Sequence, residues 1–412
     1  MRSSQRVGFI ASSSHRIHMS ATQLVWRRHF ERQGRAAAVA LEHVGRCAVL
    51  RLQRPALDPE TVGLLQRDLD ARGAQHAVSS VAIRCAERAL VGSDLHALHA
   101  AEPAGRATHF QAVANLCRTL GESPVPVTAM LDGNLSGSAL GLAAHSRFCV
   151  VTDRTRLTLP GAEFGCVPES FASHQLARLP GGVGAYLALT GAALSGAELL
   201  QLGLATHLTE AHAFERMEDE LGMQASRGVE RTAAVLADTC LVPPSDPGGP
   251  ECALHFAREI EECFGGLGGG GRSLRETLAS LEAGGTEWHA QALERVRASS
   301  PLALQLSLAL LERAAASECW TRSLRIEAAV SATALGAPDC AAGLGGLGEL
   351  KAALVREAAG LEASDGLGDD DAEEAGADEA GLEAGAVPRW EHDAVDAAAD
   401  AVAPYFETAP QP

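Results

Sequence analysis

The chain has 412 residues, a net charge of −18, and 46% hydrophobic but only 4% aromatic residues. That length allows one large domain with additions or two domains, with a core packed mainly by Leu, Ala and Val. The acidic balance argues against general nucleic-acid binding, which needs a basic face; no apolar run reaches the roughly 18–20 residues of a helical membrane span, so neither partner is expected.

The first stretch, "MRSSQRVGFIASSSHRIHMSATQLVWRRHFERQGR", carries seven arginines (Arg2, Arg6, Arg16, Arg27, Arg28, Arg32, Arg35) against one acid, Glu31. Arg-rich, Ser-rich and acid-poor, residues 1–36 read as an organellar transit peptide, mitochondrial ahead of plastid, with a plain basic tail as the alternative. A strand-like run follows at "CAVLRLQRP" (47–55), then a helix at "DPETVGLLQRDLDARG" (58–73) with Asp58 as N-cap and Pro59 in the first turn. Further strands are predicted at 77–86, 124–133, 147–153 and 204–209, most of them separated by helical stretches. That alternation reads as α/β. "GGVGAYLALTG" (181–191) is a helix bounded by glycines, and "SGAELLQLG" (195–203) a helix with Ser195 and Glu198 as a capping box.

From 212 to 350 the pattern is helical, broken at "PPSDPGGP" (243–250) and "GGLGGGGRS" (265–273). The second break mimics a phosphate-binding loop, but it holds Arg272 where that loop needs Lys, and a helix rather than a strand precedes it. Residues 351–387 read as a disordered acidic insert: eleven acids lie between 357 and 383, with no basic residue between Arg356 and Arg389. Helical periodicity returns at 388–407, ahead of the tail that ends at 412. The ten cysteines form no CxxC pair and read as free thiols of a reducing compartment.

Two loops stand out for chemistry. "ERALVGSDLHAL" (87–98) and "LDGNLSGSALGLAAHSRF" (131–148) each read as strand, small-residue turn and helix. Free N–H groups at such turns, helped by the helix dipole, stabilise a developing oxyanion. Asp94 and the histidines at 96, 99 and 109 raise the idea of a metal site, but no metal is expected; His145, at a helix C-terminus, reads as dipole-stabilised in its charged form.

The chain resembles the crotonase (enoyl-CoA hydratase/isomerase) superfamily, and most closely its 3-hydroxyisobutyryl-CoA hydrolase branch. The stretches carrying the resemblance are "LRLQRP", "GSDLHAL", "PVTAMLDGNLSGSALGLAAHSRFCVVTDRTRLTLP", "GCVPES" and "ARLPGGVGAYLALTGAALSGAELLQLGLATHL", with "SSPLALQLSLALL" and "PRWEHDAVD" favouring the hydrolase branch. The resemblance implies a ββα spiral core over 37–211 with a helical C-terminal region, and two backbone amides that hold a thioester oxygen. The matching amides belong to Ser93 and Ser138, with Gly92, Asp94, Gly137 and Gly161 beside the substrate. Hydratases use two glutamates; the matching positions are Gly141 and Gly161, so enoyl-CoA hydration is not expected. Hydrolases keep the second glutamate and add an aspartate, whose position holds Glu169. Glu163 lies two residues beyond Gly161; a surface or structural role for it stands ahead of a compensating one, which the return to the same face after two residues of extended chain would allow. Phe171 is placed to fill part of the acyl pocket.

The function implied is hydrolysis of a short-chain acyl-CoA thioester of valine catabolism in the mitochondrial matrix, with coenzyme A entering only as part of the substrate. The glycine at 161 and a thinned glycine run keep a second reading open: a non-catalytic scaffold of the same fold, such as a protein of the mitochondrial small ribosomal subunit.

Overall fold

A computed structural model describes residues 37–86, 88–241, 252–267, 272–344 and 402. The transit-peptide stretch, the break at 243–250, the acidic segment and, apart from Val402, the helix expected at 388–407 lie outside the described residues.

The chain begins with the antiparallel pair β1 (Val39–Val44) and β2 (Cys47–Leu52). Helix α1 (Pro59–Ala74) follows, capped by Asp58, which accepts the Thr61 N–H at 2.7 Å. Then come β3 (Ser80–Cys85), β4 (Ala89–Leu90), α2 (Leu95–Ala100), α3 (Pro103–Glu122), β5 (Val127–Leu131) and β6 (Asn134–Ser136). Next are α4 (Ala139–His145), β7 (Phe148–Thr152), β8 (Arg156–Thr158), a 3-10 turn (Pro160–Phe164), α5 (Ala172–Leu176), α6 (Val183–Thr190), β9 (Leu194–Ser195), α7 (Gly196–Gln201) and β10 (His207–Thr209). The remaining helices are α8 (Ala213–Gly222), α9 (Val229–Thr239), α10 (Ala257–Phe264), α11 (Leu274–Ala283), α12 (Glu287–Ala298), α13 (Pro301–Ala315) and α14 (Trp320–Ala334).

The strands form two sheets. The larger runs β1-β2-β3-β5-β7-β10 and is parallel from β2 onward. Its strands alternate between two apolar clusters, as the period of two requires. Leu50, Ile83, Ala129 and Cys149 face the main core; Val49, Ala82, Met130 and Val150 face the other side. That second side is covered by Phe214, Met217 and Leu221 of α8 and Leu236 of α9. Being buried on both faces, β2, β3, β5 and β7 read as near-continuous apolar runs. The smaller sheet, β4-β6-β8-β9, consists of two- and three-residue strands. Among the described residues, no helix is long and apolar enough to cross a membrane.

The capping box forms as its spacing predicts, with Ser195 Oγ accepting the Glu198 N–H at 3.3 Å and Glu198 accepting the Ser195 N–H at 2.8 Å. Glu198 also accepts the buried Ala253 N–H at 2.7 Å, tying α7 to the helical C-terminal region. Ser195→Ala should therefore cost about 1 kcal/mol, and Glu198→Ala more, because it also strips a buried amide of its acceptor. Urea unfolding of the two variants checks that order.

His145 does end α4, but it is buried against Phe171 and Trp320, with ring centroids 4.5 and 5.5 Å away. Burial pulls its pKa down to about 4, so the ring is neutral at pH 7 and the expected charged form is overturned. Desolvation outweighs the dipole of a seven-residue helix here.

Candidate active site

The pairing of β4 with β6 (Ala89 with Asn134, Leu90 with Leu135) sets the two small-residue turns side by side. Gly92 is needed where they touch: its φ is +75°, and a Cβ there would lie 2.6 Å from the Ser138 nitrogen. Asp94 caps α2 by accepting the Ala97 N–H at 3.1 Å, so its carboxylate is engaged in the helix start. Gly137 takes the left-handed conformation at φ +52°, while Ser138 sits at φ −60°, which any residue adopts. The serine in the thinned glycine run is thus unstrained.

A third loop completes the site. β8 pairs with β6, and the chain then enters the 3-10 turn and runs on to Glu169. Glu169 is 7% exposed and lies between the first two loops. Its Oε2 accepts from Ser93 Oγ at 3.0 Å and its Oε1 from Ser138 Oγ at 2.5 Å. The two hydroxyl oxygens are 2.9 Å apart, the Ser93 N–H reaches Ser138 Oγ at 3.2 Å, and His109 Nε2 lies 3.1 Å from Ser93 Oγ. Burial raises the Glu169 pKa above the ordinary carboxylate value, opposed by the hydroxyls and backbone amides of Ser138 and Ser93.

These contacts admit a consistent placement of protons with Glu169 ionised. Each hydroxyl spends its one hydrogen on the carboxylate. Ser138 Oγ then accepts the Ser93 N–H, and Ser93 Oγ accepts a hydrogen from His109 Nε2. That tautomer leaves Nδ1 without a hydrogen, and Nδ1 has no hydrogen-bond partner. Burial holds the His109 pKa down at about 4, so the ring is neutral, as the tautomer requires.

Immediately after Glu169 the backbone is strained. Ser170 (φ 63°) and Phe171 (φ 71°) are, among the described residues, the non-glycines in the left-handed region. Two such residues cost about 1–3 kcal/mol each and persist only when their surroundings hold them. The holding group is Glu327 of α14, 1% exposed, which accepts from the Phe171 N–H, from Ser173 Oγ, and from the Ser173 N–H at 2.8 Å. On the other side, Gly141 lets α4 approach: a Cβ there would sit 2.8 Å from Ser170 Cβ and O, which leaves no room for a glutamate.

The loop turns a cavity of about 40 Å³ toward Ser93, Gly137 and Glu169, walled by Leu95, Phe110, Leu159, Phe164 and Leu335. Since one water needs roughly 10–15 Å³, it holds about three water-sized groups. Gly161 lines the wall; a Cβ there would lie 3.3 Å from the Cys166 and Val167 carbonyls, tight but not barred. Ser331 of α14 also lines it, and its buried hydroxyl has no hydrogen-bond partner.

The candidate catalytic role of Glu163 is corrected in favour of its surface reading: the residue is exposed and lies outside the cavity lining, because Pro160 starts a helical turn and two residues no longer return to the same face. Phe171 does not fill the acyl cavity; its positive φ sends the ring to the opposite side, stacked on His174 at 4.3 Å. His109 joins Ser93 while His99 Nδ1 bonds the Leu335 carbonyl at 2.8 Å, and among the described residues no group of three His, Cys, Asp or Glu side chains is arranged to hold a metal. Glu327 and Ser331 were not found from the sequence. The available signal was that Glu327 falls on the buried stripe Leu324–Val330–Ala334 of an amphipathic helix.

A family model described as enoyl-CoA hydratase/isomerase matches residues 47–347. The chain is 27% identical over 286 residues to 3-hydroxyisobutyryl-CoA hydrolase, mitochondrial, of Danio rerio, covering 67% of this chain and 74% of that one. It is 32% identical over 205 residues to 3-hydroxyisobutyryl-CoA hydrolase-like protein 1, mitochondrial, of Arabidopsis thaliana, covering 48% and 49%; this match spans about half the length of that relative. Among solved structures, a carnitinyl-CoA dehydratase from Mycobacterium thermoresistibile superposes with a TM-score of 0.72 at 24% identity, covering 91% of this chain and 97% of that one. The last likeness shows the shared fold.

Proposed function

The chain belongs to the enoyl-CoA hydratase/isomerase family, and from that membership we propose that it hydrolyses a short acyl-CoA thioester of the 3-hydroxyisobutyryl-CoA type. The observation that carries this reading is Glu169, the one carboxylate among the described residues that line the small apolar cavity, held between Ser93 and Ser138. One carboxylate suits hydrolysis, in which the same group takes the proton of the attacking hydroxyl and returns it to the CoA thiolate. Hydration would need a second acid/base, and the space at Gly141 forbids one. The amides of Ser93 and Ser138 would receive the thioester oxygen once the substrate displaces Ser138 Oγ from the Ser93 N–H. No cofactor enters the reaction, and the names of the relatives support a mitochondrial location.

The cavity volume favours a short acyl group, and the unpartnered Ser331 hydroxyl on its wall favours an acyl group with a hydroxyl of its own. Ser331→Ala should lower the preference for 3-hydroxyisobutyryl-CoA over isobutyryl-CoA by about 2–10-fold, the worth of one neutral hydrogen bond. Thiol release from a series of acyl-CoAs by the purified protein tests the reading; no release from any of them refutes it.

One observation favours a second reading. The Ser93 N–H is already spent on Ser138 Oγ at 3.2 Å, and that hydroxyl is held by Glu169, so the receiving site is occupied by the chain's own oxygen. A non-catalytic scaffold, for instance on the mitochondrial small ribosomal subunit, would keep such an arrangement. Hydrolysis gained only by Gly161→Glu, together with salt-stable co-sedimentation with mitochondrial ribosomes, would decide for it.

A further inference from the structure

We infer that the Ser93 hydroxyl is the first acyl acceptor, so that hydrolysis runs through an ester on Ser93; this rests on the thioester-hydrolase reading above. Three geometric facts point to it. Ser93 lines the cavity. Its Oγ already donates to Glu169 Oε2 at 3.0 Å, and Glu169 is fixed in turn by Ser138 Oγ at 2.5 Å, which makes an oriented base beside a nucleophile. The third contact, to His109 Nε2 at 3.1 Å, fixes the direction of the remaining Ser93 lone pair.

The competing attackers are less well placed. A water activated by Glu169 would have to bond a second lone pair of an oxygen that already holds a hydroxyl, whereas the Ser93 hydroxyl is in place. Glu169 itself would attack with oxygens already committed to two hydroxyls, which lowers their nucleophilicity.

The reaction balances with water as the only co-reactant. Ser93 Oγ bonds to the thioester carbon while Glu169 takes its proton, and the oxyanion is held by the Ser93 and Ser138 N–H groups. Collapse breaks the C–S bond, and the thiolate takes the proton from Glu169. Water then enters where the thiol left and gives a proton to Glu169 as it attacks the ester. Ser93 leaves with that proton, restoring the starting state.

Ser93→Ala separates the two roles of this residue, since it keeps the backbone N–H and removes only the hydroxyl. The full-length protein would be mixed with 3-hydroxyisobutyryl-CoA, quenched in acid and examined by intact and peptide mass spectrometry, alongside steady-state rates and melting curves. The inference expects an acyl adduct on Ser93 and a rate for Ser93→Ala lower by at least about 10³-fold. Ser93→Cys, melting like wild type, should still acylate at that position, which guards against a mere folding defect. Wild-type turnover with no adduct and a Ser93→Ala rate within about fivefold overturns the inference and leaves hydrolysis by direct water attack. If no acyl-CoA is turned over, a fluorophosphonate probe decides: labelling of Ser93 keeps the nucleophile and refutes the substrate class, and no labelling overturns both.

Discussion

The Glu169→Gln variant is expected to hydrolyse acyl-CoA about 10²–10⁴-fold more slowly than wild type, the usual contribution of a general base. Glutamine keeps the size but presents one acceptor oxygen where the carboxylate presents two, so only one of the Ser93 and Ser138 hydroxyls keeps its acceptor. Since the ionised form is the base, kcat/KM of wild type should climb with pH through a value above the ordinary carboxylate range, because burial raises this pKa. Stability runs the other way. A carboxyl whose pKa is raised by folding binds more protons folded than unfolded, so its contribution is full below the unfolded pKa and is lost as pH rises through the folded one. The charge that makes the site active is thus one the fold resists. A glutamine variant with the wild-type rate and pH profile would remove Glu169 from the chemistry.

Much of the architecture was legible in the sequence because its signals are long. β2, β3, β5 and β7 lie in apolar runs bounded by turn residues, and the 58–73 and 195–203 helices announce themselves by caps that do form. The smaller sheet was not legible, because strands of two or three residues hold too little of a period-two pattern to read. β1 was missed for a related reason: its burial is mixed along "VALEHV", as suits an edge strand. At the site, Ser93, Ser138 and Glu169 were found as positions in a family pattern, but their mutual bonding depends on side-chain oxygens that a backbone-donor role does not require. The compensating role weighed for Glu163 and the placing of Phe171 failed on the local backbone. The compensating role for Glu163 assumed an extended chain, whereas Pro160 begins a 3-10 turn; Phe171 was placed where the family has a small glycine, and its positive φ carries the ring away from the cavity.

The left-handed pair depends on Glu327, and its replacement should have the largest effect on stability. At pH 5 Glu327 is largely protonated, so Glu327→Gln keeps the carbonyl acceptor and a donor that can turn to Ser173 Oγ, but it meets the buried Ser173 N–H with an NH₂ group, and a loss of about 1–3 kcal/mol is expected. Burial first of all, and then the nearby Glu169 charge, push the Glu327 pKa up from 4.5 to about 7, against the hydrogen bonds from Ser173 and Phe171. The sign is the same as for Glu169. Glu327 contributes fully below about pH 4.5, and on the order of 3 kcal/mol of that contribution fades by about pH 7. Wild type should therefore lose stability across this window, while Glu327→Gln keeps only the decline due to Glu169, so the gap between them narrows as pH rises. Denaturant midpoints at half-unit pH intervals test this, and parallel curves would sink the assignment. Because Glu327 touches the backbone two residues beyond Glu169 and lies on the helix that carries Ser331, its loss should also lower kcat more than it raises KM. In that way the C-terminal helical region, which could be mistaken for an appendage to the α/β core, supplies both the wall of the cavity and the clamp on its carboxylate.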